Sequence, residues 1–136
     1  MSDAVQRFID CLSAQDWDGF AATMTEDVER LGPYGDVVSP RAKYVAFLQS
    51  VVPKHPNYGL AARRVTRSPD QRVAVAEVTE TLTVGGAPVS YPEVLVFDVG
   101  DAGLITRVAV YTMRPDPQPR PGSAVGFAAS NDVAVR

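Results

Sequence analysis

Cysteine and histidine are almost absent from this sequence of 136 residues, which contains only Cys11 and His55. A lone cysteine excludes an intramolecular disulfide framework, and one Cys with one His cannot form a Cys/His zinc cluster. Cys11 has no adjacent His or Lys to activate its thiol, and His55 lies in a proline-rich segment typical of a solvated loop. Only carboxylates remain as metal ligands, and we expect no metal site.

Three further patterns are missing. The 13 basic residues against 16 acidic ones give a net charge of −3, and without a basic run this disfavours nucleic-acid binding. No apolar run is long enough to span a membrane, and the first residues lack the basic and apolar regions of a signal peptide. Neither a P-loop nor a Gly-x-Gly-x-x-Gly motif occurs. We therefore expect a cytoplasmic protein that binds no nucleic acid, membrane or cofactor.

The chain does have the composition of one globular domain, with 46% hydrophobic and 21% charged residues. Apolar residues at helical spacing predict helices over residues 3–14, 16–24 and 41–52. Ser39 is expected to cap the third helix, and residues 25–27 to form a turn. The predicted strands cover residues 28–31, 58–67, 73–84, 89–99 and 104–113. Helices followed by a run of strands predict an α+β fold with helices on one face of an antiparallel sheet.

The long predicted strands carry apolar residues on both faces, as in VAVAEV at 73–78 and EVLVFDV at 93–99. An antiparallel sheet with one wet face alternates more cleanly. We therefore expect both faces to be covered, one by the helices and the other by a second subunit or by the C-terminal tail. The composition changes to proline-rich after Arg114, which predicts a domain over 1–114 and a tail over 115–136.

Several short patterns carry a family resemblance: QDWDGFAATMTEDV at 15–28, GPYGD at 32–36, PRAKYVAFL at 40–48 and the final strand meander. Over residues 3–114 the chain resembles the nuclear transport factor 2-like superfamily, and within it the SnoaL-like and ketosteroid isomerase-like proteins. The resemblance implies a curved antiparallel sheet wrapped around the N-terminal helices, a cystatin-like α+β barrel with a deep apolar pocket. It also implies a homodimer packed through the sheet. The superfamily contains both enzymes and binding proteins.

Glu93 is the one acidic residue in the apolar part of the strand 89–99. A carboxylate there must be exposed, paired or kept neutral. The resemblance, anchored on the Phe-Asp at 97–98, sets Glu93 on the position of the isomerase acid that binds the developing oxyanion. Glu93 would then donate a hydrogen bond when neutral, or act as a general base when ionised. The alternative is a structural acid paired to a basic group.

Arg30 and Gly32 share one face of the strand over 28–31, and the resemblance turns that face toward the pocket. Arg30 would there pair with Glu93 or with an anionic substrate group; alternatively, its side chain extends to the mouth of the cone. Tyr34, in the following turn, would donate a hydrogen bond to a ligand, or would pack as an aromatic residue with a wet tip.

Two positions depart from the isomerase pattern. Where the isomerases carry a proton-transferring Asp and a first-helix Tyr, this sequence has Gly32 and Phe8. We therefore do not expect the standard isomerase mechanism, because its proton carrier is missing. Glu77 is a candidate for a further acid in the cavity, although a solvated strand residue is the simpler interpretation.

The resemblance and the periodicity together predict an apolar lining for the pocket. The predicted lining residues are Phe8, Leu12, Met24, Phe47, Leu48, Val52, Leu95, Val108 and Val110. Such a pocket would enclose a small lipophilic molecule with few polar groups. One hypothesis is a cofactor-independent acid-base isomerase, cyclase or hydrolase that uses Glu93, Arg30 and Tyr34. The alternatives are a non-catalytic small-molecule binding module and a dimeric interaction domain with a filled cavity.

Overall fold

The computed structural model describes residues 3–113, and the predicted tail over 115–136 lies outside the described residues. The elements in chain order are α1 (Ala4–Ala14), α2 (Trp17–Ala21), β1 (Met24–Leu31), β2 (Val37–Val38), α3 (Arg41–Val51), a 3-10 helix (Val52–Lys54), β3 (Gly59–Arg67), β4 (Val73–Val84), β5 (Ala87–Val99) and β6 (Ile105–Thr112). The strands form one curved six-stranded sheet in the order β2-β1-β6-β5-β4-β3. The α+β cone fold predicted from the sequence is confirmed.

The sheet is antiparallel except at one strand pair. Strands β3 to β6 form the predicted meander, whereas β1 runs parallel to β6, with Arg30 opposite Val108. The two-residue strand β2, which the sequence did not predict, pairs antiparallel with β1. The β1–β6 pair joins residues that lie far apart in the chain. Arg30 lies on the inner face of the sheet, the face that lines the cavity described below.

Strand β1 begins at Met24, whereas the sequence predicted a helix to that residue and a turn over 25–27. The helix ends earlier because the Thr23 hydroxyl donates to the Phe20 carbonyl oxygen at 2.7 Å. The Ile105 amide then donates to the Thr23 carbonyl oxygen at 2.9 Å. This long-range hydrogen bond draws the chain into the sheet four residues before the predicted strand.

Side-chain caps fix the starts of the first two helices. A carboxylate oxygen of Asp3 accepts a hydrogen bond from the Gln6 amide at 2.9 Å, and Asp16 caps α2 in the same way. The predicted Ser39 cap is not formed, because the Ser39 hydroxyl donates instead to the Val28 carbonyl oxygen at 2.8 Å. Ser39 therefore fastens the start of α3 to β1, next to the strand position of Arg30.

An aromatic cluster fills the space between the helices and the sheet. The Phe8 ring lies 4.7 Å from that of Phe20 and 5.1 Å from that of Phe97, centroid to centroid. Tyr44 of α3 packs on Phe20 at 5.6 Å. Full burial of such side chains contributes roughly 1.5–3 kcal/mol each. Phe8 and Tyr44 also face the cavity described next, so the rigid core forms one of its walls.

Candidate functional site

A partly open cavity of about 120 Å³ lies between the inner face of the sheet and the helices α1 and α3. Its apolar wall consists of Phe8, Leu12, Pro33, Leu48, Leu60, Leu95 and Val110. Its polar groups belong to Arg30, Tyr44, Tyr58, Glu80, Glu93 and Thr112. An apolar cavity of roughly 150 Å³ holds benzene, so this space suits a molecule of only a few heavy atoms.

The structure divides the predicted apolar lining into two groups. The residues that reach the cavity are Phe8, Leu12, Leu48, Leu95 and Val110. Met24, Val52 and Val108 are instead buried in the core. The sequence could not separate the two groups, because periodicity identifies the inward face of each element but not how far the cavity extends. Phe47 is half-buried and its ring centroid lies 5.2 Å from the guanidinium carbon of Arg30.

Glu93 lies on the cavity wall in the middle of β5 and is only 7% exposed. Its strand neighbours are Val78 of β4 and Thr112 of β6. The Thr112 hydroxyl donates a hydrogen bond to Glu93 Oε2 at 3.1 Å. A buried carboxyl group is costly without such donors, so the register of β5 on β6 supplies one partner directly.

Arg30 projects from β1 into the same cavity, with 13% of its side chain exposed. Its Nη1 atom donates to Asp36 Oδ2 at 3.1 Å, and its guanidinium lies over the Phe47 ring. The ion pair and the cation–π contact hold the guanidinium in place. Asp36 itself is half-exposed, so the Arg30 charge is balanced from the solvent side of the cavity wall.

Gly32 has no room for a side chain. A Cβ atom placed there would lie 2.6 Å from Arg30 Nη1 and would also meet the Asp36 carboxylate. The Gly32 amide donates to the Asp36 carbonyl oxygen at 2.7 Å, which closes the turn around this point. The Arg30–Asp36 ion pair thus occupies the space that a side chain at position 32 would need.

A second acid, Glu80, lines the cavity, and the sequence did not identify it. Glu80 follows Ala76 and Val78 on the inner face of β4, and it accepts a hydrogen bond from the Tyr58 hydroxyl at 3.0 Å. Glu77, the candidate from the sequence, points to the outer face and pairs with Arg64. Glu80 lies two residues after the buried Val78, so strand alternation puts both on the same face. This spacing is the sequence pattern that could have identified Glu80.

The two tyrosines that line the cavity, Tyr44 and Tyr58, both have raised pKa values. Burial raises the pKa of Tyr44, while the nearby Arg30 guanidinium opposes that shift. Burial also raises the pKa of Tyr58, and the charge and hydrogen bond of Glu80 raise it further. The Glu93 charge adds to the upward pKa shift of both tyrosines. Both phenols therefore stay neutral across the physiological range, and the Tyr58 hydroxyl donates to Glu80.

Neither Tyr34, a candidate from the sequence, nor His55 lines the cavity. Tyr34 is 80% exposed on the turn beside Pro33, with its side chain outside the lining. His55, expected in a solvated loop, is half-buried, and its Nδ1 atom accepts a hydrogen bond from the Thr83 amide at 3.0 Å. His55 thereby fastens the loop before β3 to the end of β4.

A larger crevice of about 310 Å³ lies where the N-terminus of α1 meets the β3–β4 and β5–β6 turns. Four of its charged groups form ion pairs, Arg67 with Asp3 and Arg72 with Asp101, and the Asp70 carboxylate accepts a hydrogen bond from the Ser68 hydroxyl. It contains neither of the acids that face the inner cavity. We therefore locate the candidate site at the smaller cavity, where the buried acid lies.

No group of three or more His, Cys, Asp or Glu side chains within residues 3–113 is placed to hold a metal ion. None of the helices in the same range is long and apolar enough to cross a membrane.

Comparison with known proteins identifies the family. The SnoaL-like domain model matches residues 5–108 of this chain. The chain belongs to the SnoaL-like domain family. The resemblance to the nuclear transport factor 2-like superfamily that the sequence suggested is thereby confirmed. No curated protein matches this chain.

Solved structures share the SnoaL-like fold. A Kribbella flavida protein provisionally named a ketosteroid isomerase is 26% identical, with a TM-score of 0.69 over 88% of this chain and 82% of its own. A Xanthomonas campestris protein provisionally named a polyketide cyclase is 28% identical, with a TM-score of 0.66 over 79% and 86%. A Mycobacterium tuberculosis protein in complex with estradiol-17beta-hemisuccinate is 21% identical, with a TM-score of 0.69 over 79% and 89%.

Proposed function

We propose that the cavity binds a small lipophilic molecule and that Glu93 contacts its polar group. The observation that carries this proposal is a nearly buried carboxyl group on the wall of a largely apolar cavity. Ligand sites typically combine apolar walls with a few convergent polar groups. Leu12, Leu48 and Leu95 would contact the body of the ligand.

The chemistry available to this arrangement is acid-base chemistry without a cofactor. Glu93 would transfer a proton to or from the ligand, and the anchored Arg30 guanidinium would stabilise negative charge that develops on a ligand oxygen. This favours an isomerase, cyclase or hydrolase among the reaction classes open to a SnoaL-like protein. Tyr34, exposed beside Pro33, would contact only a ligand that extends out of the cavity.

The volume of the cavity limits the size of the ligand that can enter it. Sites for drug-sized ligands span roughly 300–1,000 Å³, whereas this cavity has about 120 Å³. The mycobacterial relative is in complex with a steroid conjugate. A whole steroid would exceed the volume of the cavity in this protein. We therefore propose a ligand smaller than a steroid, or one of which only a part enters.

A non-catalytic binding module is the second candidate, and a specific observation favours it. The isomerase base position is Gly32, and the Arg30–Asp36 ion pair fills the space beside it. Phe8, at the position of the isomerase Tyr, offers only an apolar ring. A protein with this cavity would bind the ligand through Glu93 without turning it over.

A homodimer through the outer face of the sheet belongs to the same proposal. On that face Val75, Val96, Ala109 and Leu31 form one cross-strand row over four neighbouring strands. A continuous apolar row on the outer face of a sheet is typical of an interface. The single cysteine and the lack of a disulfide framework favour the cytoplasm as the compartment.

The experiment is a thermal-shift screen of small lipophilic ketones, lactones and epoxides against three proteins. These are the wild type, Val110→Phe, which narrows the cavity, and Val94→Phe, which carries the same change on the outer face of β5. A ligand at a hundred times its Kd stabilises the fold by about 2.7 kcal/mol. Shifts that persist in Val94→Phe and vanish in Val110→Phe support the proposal, and shifts equal in both variants would overturn it. Compounds that bind are then tested for turnover.

A further inference from the structure

The two tyrosines on the cavity wall differ in the partner of the hydroxyl group. The half-buried Tyr58 donates to Glu80 Oε2 at 3.0 Å. Tyr44 is buried more deeply, with 3% of its surface exposed, yet no side chain or carbonyl oxygen within residues 3–113 accepts a hydrogen bond from its hydroxyl. Buried donors in native proteins almost always have an acceptor. The Tyr44 hydroxyl therefore requires an acceptor from the cavity side.

Packing fixes the place of this hydroxyl. Tyr44 lies on the inward face of α3, and its ring packs on that of Phe20 at 5.6 Å between centroids, with an angle of 66° between the planes. The hydroxyl end lies beside the Arg30 guanidinium, and both groups line the cavity. A ring packed into the core has little freedom to rotate away. A ligand in the cavity therefore meets the Tyr44 hydroxyl and the Arg30 guanidinium side by side.

Both groups act as donors toward a ligand. A guanidinium has several N–H donors and no acceptor, so the Tyr44 oxygen accepts in its contact with Arg30, and the phenol proton points elsewhere. Burial raises the pKa of Tyr44, and the charge and hydrogen bond of Arg30 only oppose that shift, so the proton is held at neutral pH. A further Arg30 donor is used by Asp36, at 3.1 Å. The remaining Arg30 donors and the Tyr44 proton suit the same kind of partner, an oxygen that accepts.

We propose that Tyr44 and Arg30 together bind the oxygen atom of the ligand, which is a small ketone or lactone whose carbonyl oxygen accepts from both. The inference rests on the proposed binding function and specifies its ligand class. Glu93 contacts the polar group of the ligand from the sheet, as proposed above, and Tyr44 contacts it from α3. A carbonyl oxygen has lone pairs for both donors and offers no proton. In a reaction, the same donors would stabilise negative charge that develops on this oxygen.

Two probes of the same shape test the ligand class. They are 3-methyl-2-butanone and 2,3-dimethyl-1-butene, in which a methylene group replaces the carbonyl oxygen. Each is titrated near neutral pH, in sealed NMR tubes, into the full chain as wild type, Tyr44→Phe and Tyr58→Phe. Tyr44→Phe keeps the ring that packs on Phe20 and removes only the hydroxyl. Tyr58→Phe is the matched control, because its hydroxyl already donates to Glu80.

We expect Tyr44→Phe to weaken binding of the ketone roughly fivefold or more and to change binding of the alkene by less than about twofold, because only the ketone loses a hydrogen bond. In Tyr58→Phe both probes should bind within about twofold of the wild type. An equal loss for the two probes in Tyr44→Phe, or an unchanged ketone affinity, would overturn the inference while leaving binding in the cavity intact. Binding of neither probe to the wild type would overturn both the inference and the proposed function.

The carbonyl carbon of the ketone reports the hydrogen bond directly. With 3-methyl-2-butanone labelled with ¹³C at the carbonyl, the resonance of the bound ketone should lie further downfield in the wild type than in Tyr44→Phe. The reason is that a hydrogen bond to the oxygen withdraws electron density from this carbon. Tyr58→Phe should keep the resonance at its wild-type position. The same position in all three proteins would mean that the Tyr44 hydroxyl does not contact the carbonyl oxygen.

Discussion

Glu93 and Thr112 face each other directly across β5 and β6, and the Thr112 hydroxyl donates to Glu93 Oε2 at 3.1 Å. We expect Thr112→Val, which replaces the hydroxyl with a methyl group, to lower the free energy of unfolding by about 1–3 kcal/mol, because a buried acceptor loses a donor. Urea denaturation measures the change. Thr79→Val, at an exposed position of β4, should stay within about 0.5 kcal/mol of the wild type. Equal changes in the two variants would show that the hydrogen bond from Thr112 to Glu93 does not contribute to stability.

Gly32 is required by the ion pair beside it. A methyl group at this position would overlap Arg30 Nη1 and the Asp36 carboxylate, so Gly32→Ala should cost about 1–3 kcal/mol of stability, as overpacking does. Gly59→Ala is the control, because a Cβ atom there meets nothing within 4 Å. Denaturation of the two variants under the same conditions tests the expectation. A stability of Gly32→Ala equal to that of Gly59→Ala would mean that the ion pair is not held where the structure has it.

The raised pKa values of Tyr44 and Tyr58 predict a loss of stability in alkali. In the unfolded chain a tyrosine ionises near pH 10, whereas in the folded state both protons are held to higher pH. The stability that the two groups contribute is therefore complete below about pH 10 and is lost as the pH rises above it. Urea unfolding from roughly pH 8 to pH 11 should show this decline, and Tyr58→Phe should make it shallower. A decline of the same slope in Tyr58→Phe would exclude Tyr58 as a source.

The proposed dimer makes a prediction about the outer face of the sheet. Val96 lies in the middle of the apolar cross-strand row, so Val96→Arg should place a charge in the interface and give monomers. Gln49→Arg, on an exposed position of α3, should leave the dimer unchanged. Sedimentation velocity at several protein concentrations distinguishes the two species. A monomeric wild type at every concentration would contradict the dimer.

The fold could be predicted largely because its signals are local. The amphipathic spacing of α1, the cap at Asp3 and the Gly-containing turns of the meander are all visible in short stretches of sequence. The start of β1 could not be predicted in the same way. It depends on the hydrogen bond between Thr23 and Ile105, which are more than eighty residues apart, and no local pattern encodes that pairing.

The site was harder to predict than the fold, and the reason is strand parity. Both faces of β4 carry apolar residues, so alternation alone did not decide whether Glu77 or Glu80 points inward. The register with β3 and β5 decides it, and that register includes a shift between Ala62 and Arg64. The extent of the cavity depends on side-chain packing, which is why Met24 and Val108 lie in the core rather than on its wall.

Glu93 is proposed above as the polar contact of a ligand in the cavity. The most direct test is a calorimetric titration of one confirmed binder against the wild type, Glu93→Gln and the outward-facing control Glu77→Gln. We expect Glu93→Gln to weaken binding at least tenfold, which is about 1.4 kcal/mol, and Glu77→Gln to bind as the wild type does. Unchanged affinity in a folded Glu93→Gln protein would rule out Glu93 as the polar contact of the ligand.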